Sequence, residues 1–425
     1  MAPAVEGRAA AGRRPRIVYL PGPGDVYGSY RHWRAGHDDP RLPSLAYSAQ
    51  VFEAVRAQGA ELLTLTQHPL PAPDDADADA DAIAAPDAHG FRFAHRPQRK
   101  AAGLAHHLAQ IRQSRALARE AAAFGADVVI VQRMLPHYWP FLALRRRGTA
   151  LIASLHSTLW PSHRPPNRQE RLLARLNAPF FRACVAVCSI GPAPRAQVAA
   201  ITGLAPRPPR LPMHLPQYPE AWRDAWRDRA GGPEGGRIPH RLLFVGRIER
   251  DKGVFDLLDA FAALAPDHPG LTLRYLGRGR ALDALRDRAA AAPCAARIDV
   301  AGLADGATVR AALQDSDLLV CPTQATFSEG LTKTPVEAAL CGLPTLMTEA
   351  VPTGRVLEGC SLTVPCGDPA ALARTIAGLR ADPARYAAMA AATRPLREQF
   401  FDRDRSLGRI LRDALAEALP PSGPG

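Results

Sequence analysis

Lysine is almost missing from this sequence. Of 53 basic residues, only Lys100, Lys252 and Lys333 are lysines. Arginine and alanine are abundant instead, which is typical of a coding bias. A single arginine therefore carries little information about function, whereas a lysine that persists against the bias is informative.

Long apolar runs and metal-type cysteine spacings are also missing. No stretch approaches 18 consecutive apolar residues, which argues against a membrane-spanning helix. The start of the chain, MAPAVEGRAAAGRRPR, has no apolar core of a secretory signal. The seven scattered cysteines indicate buried thiols in a reducing compartment. We therefore expect a cytoplasmic protein with no metal site and no bound cofactor.

The net charge of +12 is concentrated in the first half of the chain. Residues 1–215 contain 27 basic and 15 acidic residues, whereas residues 216–425 contain 26 of each. We expect the basic half to contact an anionic surface, namely the cytoplasmic face of a membrane that carries a lipid acceptor. Alternatively, the arginine bias only decorates a solvated face. Neither RNA-binding motifs nor interleaved aromatic and basic residues indicate a nucleic acid partner.

The stretch DLLVCPTQATFSEGLTKTPVEAALCGLPT is the most informative part of the sequence. Its apolar start, Asp317–Cys321, predicts a short buried strand. A helix must begin between Thr332 and Pro335, because proline is tolerated in a first helical turn. Glu329 therefore precedes the helix, and Glu337 lies about one turn inside it.

This arrangement suits a nucleotide-sugar. A helix N-terminus attracts phosphate, because its amides are unpaired and its dipole is positive there. Carboxylates on either side repel phosphate but accept hydrogen bonds from hydroxyls. Glu337 would accept from ribose, and Glu329 from the sugar. Two alternatives stay open: a capping box formed by Thr334 and Glu337, and the acid/base pair of a hydrolase.

The stretch resembles the Glu-x7-Glu segment of retaining glycosyltransferases of family 4. The matching residues are Glu329, Gly330, Glu337, Ala338, Gly342 and Pro344. The family often has Phe-Gly where this chain has Leu331-Thr332. The resemblance implies an α/β protein of the GT-B fold, with two Rossmann-like domains facing a central cleft and a C-terminal helix that crosses back to the first domain. It also implies that the amides of Gly330, Leu331 and Thr332 line the donor site.

A second match to the same family is the sequence LLFVGRIERDKGVFDLLDAFAAL. The resemblance implies that Arg247 and Lys252, after the turn at Gly246, grip the donor diphosphate. The plain alternative is a pair of surface charges in a loop between a strand and a helix. The loop containing Gly302 resembles the one beside the nucleobase.

The first half resembles the family mainly in architecture. His156 follows the strand-like run Ala150–Leu155, at the sheet edge that faces ligands in open α/β folds. It resembles the family's strand-end histidine near the transferred sugar, although an ordinary loop histidine would read the same way. Gly28 is the counterpart we expect for the glycine near the diphosphate. Gly22-x-Gly24 lacks a third glycine at the spacing that a nicotinamide site needs.

Four further assignments concern organisation. We predict a first domain at 15–212, a linker region at 213–240, a second domain at 241–395 and a crossover helix at 396–419. Residues 1–14 are expected to be disordered. The Asp-x-Asp repeat within residues 71–89 is interpreted as a solvated loop and not as a manganese site. Lys100–Phe124 is predicted to be an amphipathic helix with an apolar face formed by Leu104, Leu108, Ile111 and Ala118.

The function implied by the resemblance is retaining transfer of a sugar from a nucleotide-sugar to an unidentified acceptor. Arg247, Lys252 and the helix N-terminus would stabilise the departing diphosphate without a metal. Glu329 would position the sugar, and His156 the reacting face. Two alternatives remain: a non-catalytic binding protein on a degenerate scaffold, and a nucleotide-sugar epimerase.

Overall fold

A computed structural model of the protein describes residues 13–71, 86–98, 102–229, 238–327 and 329–419. These residues form two compact units. Unit 1 consists of the described residues within Met1–Leu159, Pro166–Gln217 and Arg403–Gly425, and unit 2 of those within Trp160–Pro165 and Tyr218–Asp402. The Asp-x-Asp repeat, Lys100, and nearly all of the N-terminal segment expected to be disordered lie outside the described residues.

Unit 1 is built on a parallel sheet in the order β3-β2-β1-β4-β5-β6-β7. The strands are β1 (Arg16–Leu20), β2 (Glu61–Thr66), β3 (Phe91–His95), β4 (Val128–Val131), β5 (Ala150–Leu155), β6 (Ala186–Ile190) and β7 (Met213–His214). Central strands such as β4, with the sequence VVIV, are buried along their whole length. Such runs are expected where helices cover both faces of a parallel sheet.

Among the described residues, six helices cover this sheet: α1 (Val26–Arg34), α2 (Tyr47–Ala57), α3 (Gly103–Phe124), α4 (Arg168–Ala183), α5 (Pro192–Thr202) and α12 (Leu407–Ala418). Helices α1, α2 and α12 pack on the face that carries Ile17, Ile130 and Ile152. Helices α3, α4 and α5 pack on the opposite face. The C-terminal helix α12 therefore completes the core of unit 1, and it begins at Leu407, whereas the crossover helix was predicted to begin at residue 396.

Unit 2 has a parallel sheet in the order β10-β9-β8-β11-β12-β13. Its strands are β8 (Arg241–Val245), β9 (Thr272–Leu276), β10 (Ile298–Gly302), β11 (Leu318–Cys321), β12 (Thr345–Thr348) and β13 (Ser361–Val364). Its helices are α6 (Val254–Leu264), α7 (Leu282–Ala290), α8 (Gly306–Asp315), α9 (Lys333–Leu340), α10 (Pro369–Ala381) and α11 (Pro383–Leu396). The strand order of both sheets reverses at a switch point, as in Rossmann-like folds.

The apolar face predicted for the helix ending at Phe124 is only partly buried. Leu104 and Leu108 are 76% and 48% exposed, whereas α3 buries Gln110, Ser114, Leu117, Ala118 and Ala121. Two of these buried positions are polar, and the Ser114 hydroxyl donates to the carbonyl of His137 at 2.9 Å. Of the four residues of the predicted face, Ala118 lies in the buried stripe, whereas Leu104 and Leu108 lie outside it.

A buried arginine joins the ends of two helices in unit 2. Arg229 is 1% exposed, and its guanidinium donates to carbonyls at the end of α8, including Leu313 at 2.8 Å and Ser316 at 3.0 Å. It also donates to the carbonyl of Cys341, just after α9, at 2.5 Å. Helix ends leave carbonyls without partners, so one cation here satisfies two ends at once.

Candidate active site

The helix that follows β11 begins at Lys333, inside the predicted range. Thr332 occupies the cap position, and the capping bond typical of an N-terminal threonine is not made within the described residues. Thr334 and Glu337 both lie inside the helix, so the capping-box alternative is excluded. The amides of the first turn have no intrahelical carbonyl to donate to, which leaves this end of α9 suited to an anion.

Glu329 and Lys252 form an ion pair beside that helix start. The Lys252 ammonium contacts Oε1 of Glu329, and the two side chains are only 13% and 9% exposed. The Thr323 hydroxyl also donates to Oε1, at 3.3 Å. The two residues therefore hold each other in place, and the partly buried charges are mutually neutralised.

Phe327 brings two cations together. Its ring centroid lies 4.0 Å from the Lys252 ammonium and 5.1 Å from the Arg247 guanidinium carbon. Both distances are in the range of cation–π attraction. Sequence reasoning did not identify Phe327; an aromatic residue just ahead of Glu329 was the available signal. We call Arg247, Lys252, Phe327 and Glu329 the charged edge.

Glycines position the loop that carries the two cations. Gly253 adopts a φ of +69°, and an added Cβ would lie 1.8 Å from the carbonyl oxygen of Pro322. Gly277, with a φ of +147°, approaches Gly246 so closely that its Cβ would lie 1.7 Å from that residue's carbonyl oxygen. These contacts hold the loop after β8 against the ends of β9 and β11, where parallel strands present their carboxyl edge.

The remaining helix-start residues are partly engaged already. The Thr332 amide donates to Oγ1 of Thr353 at 2.8 Å, which the sequence did not indicate. Leu331 is buried, and Gly330 is half-buried. The predicted close approach of a ligand to the Thr332 backbone must therefore compete with the Thr353 hydroxyl.

Glu337 is buried within unit 2. The Tyr218 hydroxyl donates to its Oε1 at 3.3 Å. Burial raises the pKa of the Glu337 carboxyl above its usual value, against the opposing effect of nearby Lys333, and burial lowers the pKa of Lys333. A carboxyl in this setting is suited to hydrogen bonding with hydroxyls more than to balancing a full charge.

His156 lies in unit 1, just beyond β5. Its Nε2 is 2.8 Å from Nε2 of Gln132 and 3.0 Å from Oγ of Ser154. The rings of Tyr47 and His214 pack against it, with centroids at 4.4 and 5.1 Å. We call Tyr19, Gln132, Ser154, His156 and His214 the neutral edge, because it contains no carboxylate, lysine or arginine.

Two predicted glycines have structural explanations. Gly28 lies in the first turn of α1, where an added Cβ would sit 2.2 Å from the Asp25 carboxylate and 2.4 Å from the Arg41 guanidinium. Asp25 caps that helix by accepting from the Gly28 amide at 2.8 Å. Gly302 ends β10 with a φ of +86°, and its carbonyl accepts from the Gly277 amide at 2.7 Å. Their proposed contacts with a donor stay predictions.

Within the part of the chain that the structure describes, no group of three or more His, Cys, Asp or Glu residues could hold a metal ion. All seven cysteines are free thiols, and six of them are buried. No described helix is long and apolar enough to cross a membrane.

Two family models match the chain. The one described as "Glycosyltransferase Family 4" matches residues 46–211, and "Glycosyl transferases group 1" matches residues 239–382. Together they span most of the chain, one in each half. The chain belongs to this glycosyltransferase family. Its two parallel sheets give it the GT-B fold, as predicted.

Glycosyltransferases with this fold resemble the whole chain in structure. HepE of Anabaena, in complex with UDP, has a TM-score of 0.59 at 15% identity and covers 95% of this chain and 98% of its own. The α,α-trehalose 6-phosphate synthase of Burkholderia multivorans has a TM-score of 0.62 at 15% identity, with coverage of 95% and 96%. At these identities the likeness shows the fold alone.

A relative in sequence is the glycogen synthase of Mycobacterium tuberculosis. It is 31% identical over 166 residues, which make up 39% of this chain and 39% of the relative. The match therefore spans well under half of the curated relative.

Proposed function

We propose that this glycosyltransferase-family protein transfers a sugar from a nucleotide-sugar to an acceptor, with retention of anomeric configuration and without a metal ion. The observation that carries the proposal is the charged edge. Lys252 and Arg247 share the ring of Phe327, and Lys252 pairs with Glu329, beside the start of α9. Cations, a helix N-terminus and a carboxylate are thereby collected at one sheet edge.

The proposed chemistry is stabilisation of the charge that develops on the departing diphosphate. An ammonium has three N–H donors, so Lys252 can keep one bond to Glu329 and give others to phosphate oxygens. Arg247 and the first-turn amides of α9 add fixed positive potential, which needs no reorganisation during the reaction. The free lone pairs of the Glu329 carboxylate accept hydroxyls of the sugar, and Glu337 accepts those of ribose. No carboxylate acts as a covalent nucleophile.

The acceptor, in this proposal, is reached at an anionic membrane. Four exposed leucines, Leu104 and Leu108 in α3 and Leu172 and Leu176 in α4, form what we call the leucine surface. The starts of the two helices are joined, because Nε2 of Gln169 lies 3.0 Å from Nε2 of His107. Exposed arginines run along α4 beside the leucines, at positions 168, 171 and 175. Leucines flanked by arginines fit an anionic bilayer surface.

The test is a screen of the purified protein against nucleotide-sugars, starting with UDP-glucose because the HepE protein was crystallised with that donor. We expect one donor to raise the unfolding temperature, and expect Lys252→Met to remove that rise. Incubation with that donor and candidate acceptors should release the nucleoside diphosphate, and NMR of the product gives the anomeric configuration.

Three outcomes would overturn the proposal. Binding without any release would favour a non-catalytic binding protein, and conversion of the donor sugar without transfer would favour an epimerase. If no nucleotide-sugar changes the unfolding temperature, the charged edge serves another ligand. An inverted product would contradict retention alone.

A further inference from the structure

The neutral edge is produced by strand alternation. Side chains of a strand point to opposite faces in turn, and Tyr19 shares the face of Ile17. The pairs Leu20–Val131 and Val131–Ala153 are in register, so Gln132 and Ser154 are neighbours one residue further along. His156 lies two residues beyond Ser154. A row of polar side chains thus crosses the sheet on one face, at the edge where strands end.

The hydrogen bonds within this row lead from Tyr19 through Gln132 to His156, and each residue donates to the next. The Tyr19 hydroxyl donates to Oε1 of Gln132, and the amide nitrogen of Gln132 lies 2.8 Å from Nε2 of His156. Tyr19 is 1% exposed, and burial raises the pKa of its phenol well above the usual value. The phenol therefore keeps its proton, and the oxygen that faces it must be the amide carbonyl.

The phenol proton decides which way the amide points. If the amide of Gln132 were reversed, its NH2 group would face Tyr19, and the buried phenol proton would have no acceptor among the described residues. A buried donor without a partner is strongly disfavoured. The NH2 group consequently faces His156, and because an amide NH2 only donates, Nε2 of His156 must be the acceptor.

We propose that Tyr19 and Gln132 are positioning residues that hold His156 in the neutral tautomer with its proton on Nδ1. An imidazolium would turn an Nε2–H group toward the NH2 group of Gln132, so the ring that faces this amide is neutral. His156 is thereby prepared to act as a neutral hydrogen-bond donor through Nδ1–H, and it is not a base. The consequence for catalysis, a fixed orientation of the His156 ring at the sheet edge, rests on the proposed function.

The tautomer can be measured without any substrate. Two-bond 1H–15N correlation spectra of protein labelled with 15N-histidine distinguish Nδ1–H from Nε2–H, and the His156→Asn variant identifies the His156 signals. We expect Nδ1–H in the unmodified protein. In Gln132→Glu, a carboxylate that only accepts faces Nε2, so the proton should move to that nitrogen. An Nε2–H pattern in the unmodified protein, or the same pattern before and after Gln132→Glu, would overturn the proposal.

The variant Tyr19→Phe tests whether the Tyr19 hydroxyl fixes the orientation of the Gln132 amide and thereby the tautomer of His156. Without the phenol, Gln132 can adopt either amide orientation, and we expect both tautomers of His156 to be populated. Tyr138→Phe is the matched control: Tyr138 is equally buried in unit 1, and its hydroxyl contacts the Leu135 amide at 3.2 Å instead. A single Nδ1–H form in Tyr19→Phe, or mixed tautomers in Tyr138→Phe, would contradict the assignment.

Once transfer is measured, Tyr19→Phe should lower kcat roughly tenfold and leave the KM for the donor unchanged, because the diphosphate is held elsewhere. A rise in KM with kcat unchanged would contradict the positioning role. Absence of transfer by the unmodified protein, with the expected tautomer present, would refute the proposed function and leave this inference standing. Transfer by the unmodified protein, with the other tautomer present, would refute this inference and leave the proposed function standing.

Discussion

The two units share one architecture but place different chemistry at the carboxyl edges of their sheets. In unit 2 that edge carries full charges, and the Lys252 ammonium pairs with Glu329. In unit 1 the neutral edge carries hydroxyl, amide and imidazole groups, ordered by a hydrogen-bonded row from Tyr19 to His156, and the buried Arg133 beside it donates to the backbone carbonyls of Leu65 and Arg96. A charged edge suits a group that leaves with negative charge, whereas a neutral edge suits the orientation of sugar hydroxyls.

The largest effect on activity is expected when the positive charge of Lys252 is removed from the charged edge of unit 2. Lys252→Met should lower kcat/KM by roughly 10²–10³-fold, because it removes a preorganised donor and leaves Glu329 without its ammonium partner. Arg280→Met is a control in the same unit, since that arginine is 92% exposed and pairs with Glu249 at 3.4 Å. We expect it to retain nearly full activity in an assay of nucleoside diphosphate release.

A double-mutant cycle sharpens the same point. If Lys252 and Glu329 act as a unit, Lys252→Met combined with Glu329→Gln should lose little more than either change alone. Losses that simply add would show that the two residues act separately, and that the ion pair has no role in turnover.

The neutral edge should respond to pH through stability. Burial lowers the pKa of His214 from its usual 6.5 to about 3. A lowered pKa means that the unfolded chain takes up the proton first, so stability is full above pH 6.5 and is lost as the pH falls toward 3. Between pH 7.5 and 5 we expect unit 1 to lose about 2 kcal/mol of unfolding free energy from this residue.

Urea unfolding of the protein and of His214→Phe at both pH values measures this loss. The variant cannot titrate at position 214, so its stability should fall less by about the same 2 kcal/mol. Equal losses in the two proteins would mean that His214 is protonated in the folded state and that the edge is not neutral.

The outer surfaces of the units should differ as well. Leu172→Glu combined with Leu176→Glu should reduce binding to vesicles of phosphatidylglycerol and phosphatidylcholine by about tenfold or more. The change removes apolar area that would enter the bilayer surface, and the new carboxylates are repelled by the anionic lipid. Leu303→Glu is the control, since Leu303 is exposed in unit 2. Equal recovery of the unmodified protein with anionic and with neutral vesicles would leave a protein that finds its acceptor in solution.

The smallest expected effect is that of a chelator. Arg247 and Lys252 supply positive charge at the proposed diphosphate site, so EDTA should leave the rate of transfer unchanged. Complete loss of activity, restored by Mn²⁺, would show that the charged edge works together with a metal ion.

Element boundaries could be predicted from the sequence where apolar runs or a proline mark them. The strand Ala150–Leu155 was predicted with the observed bounds, because an uninterrupted apolar run marks it. The start of α9 was also predicted, because Pro335 restricts where that helix can begin.

Residues whose importance depends on contacts with distant parts of the chain could not be predicted from the sequence. Phe327 matters because two cations from another loop lie against its ring, and Gln132 matters because strand register brings it to His156. The abundance of arginine hid a different case. Arg229 is one of fifty arginines in the sequence, yet it satisfies the carbonyl ends of two helices. Composition cannot separate such a residue from decoration.

The contribution of the C-terminal helix α12 to the core of unit 1 has a consequence for the folding of that unit during translation. Leu407, Leu411 and Leu415 of α12 belong to the core that Tyr19 and Ile17 help to form, and the Gly408 amide donates to Gln50 at 3.0 Å. One face of the sheet that is translated first, although α1 and α2 cover part of it, therefore stays incompletely covered until unit 2 has been synthesised. Exposed apolar faces promote aggregation, so the interval between synthesis of Gln217 and of Leu415 is the period when the nascent protein most needs a chaperone.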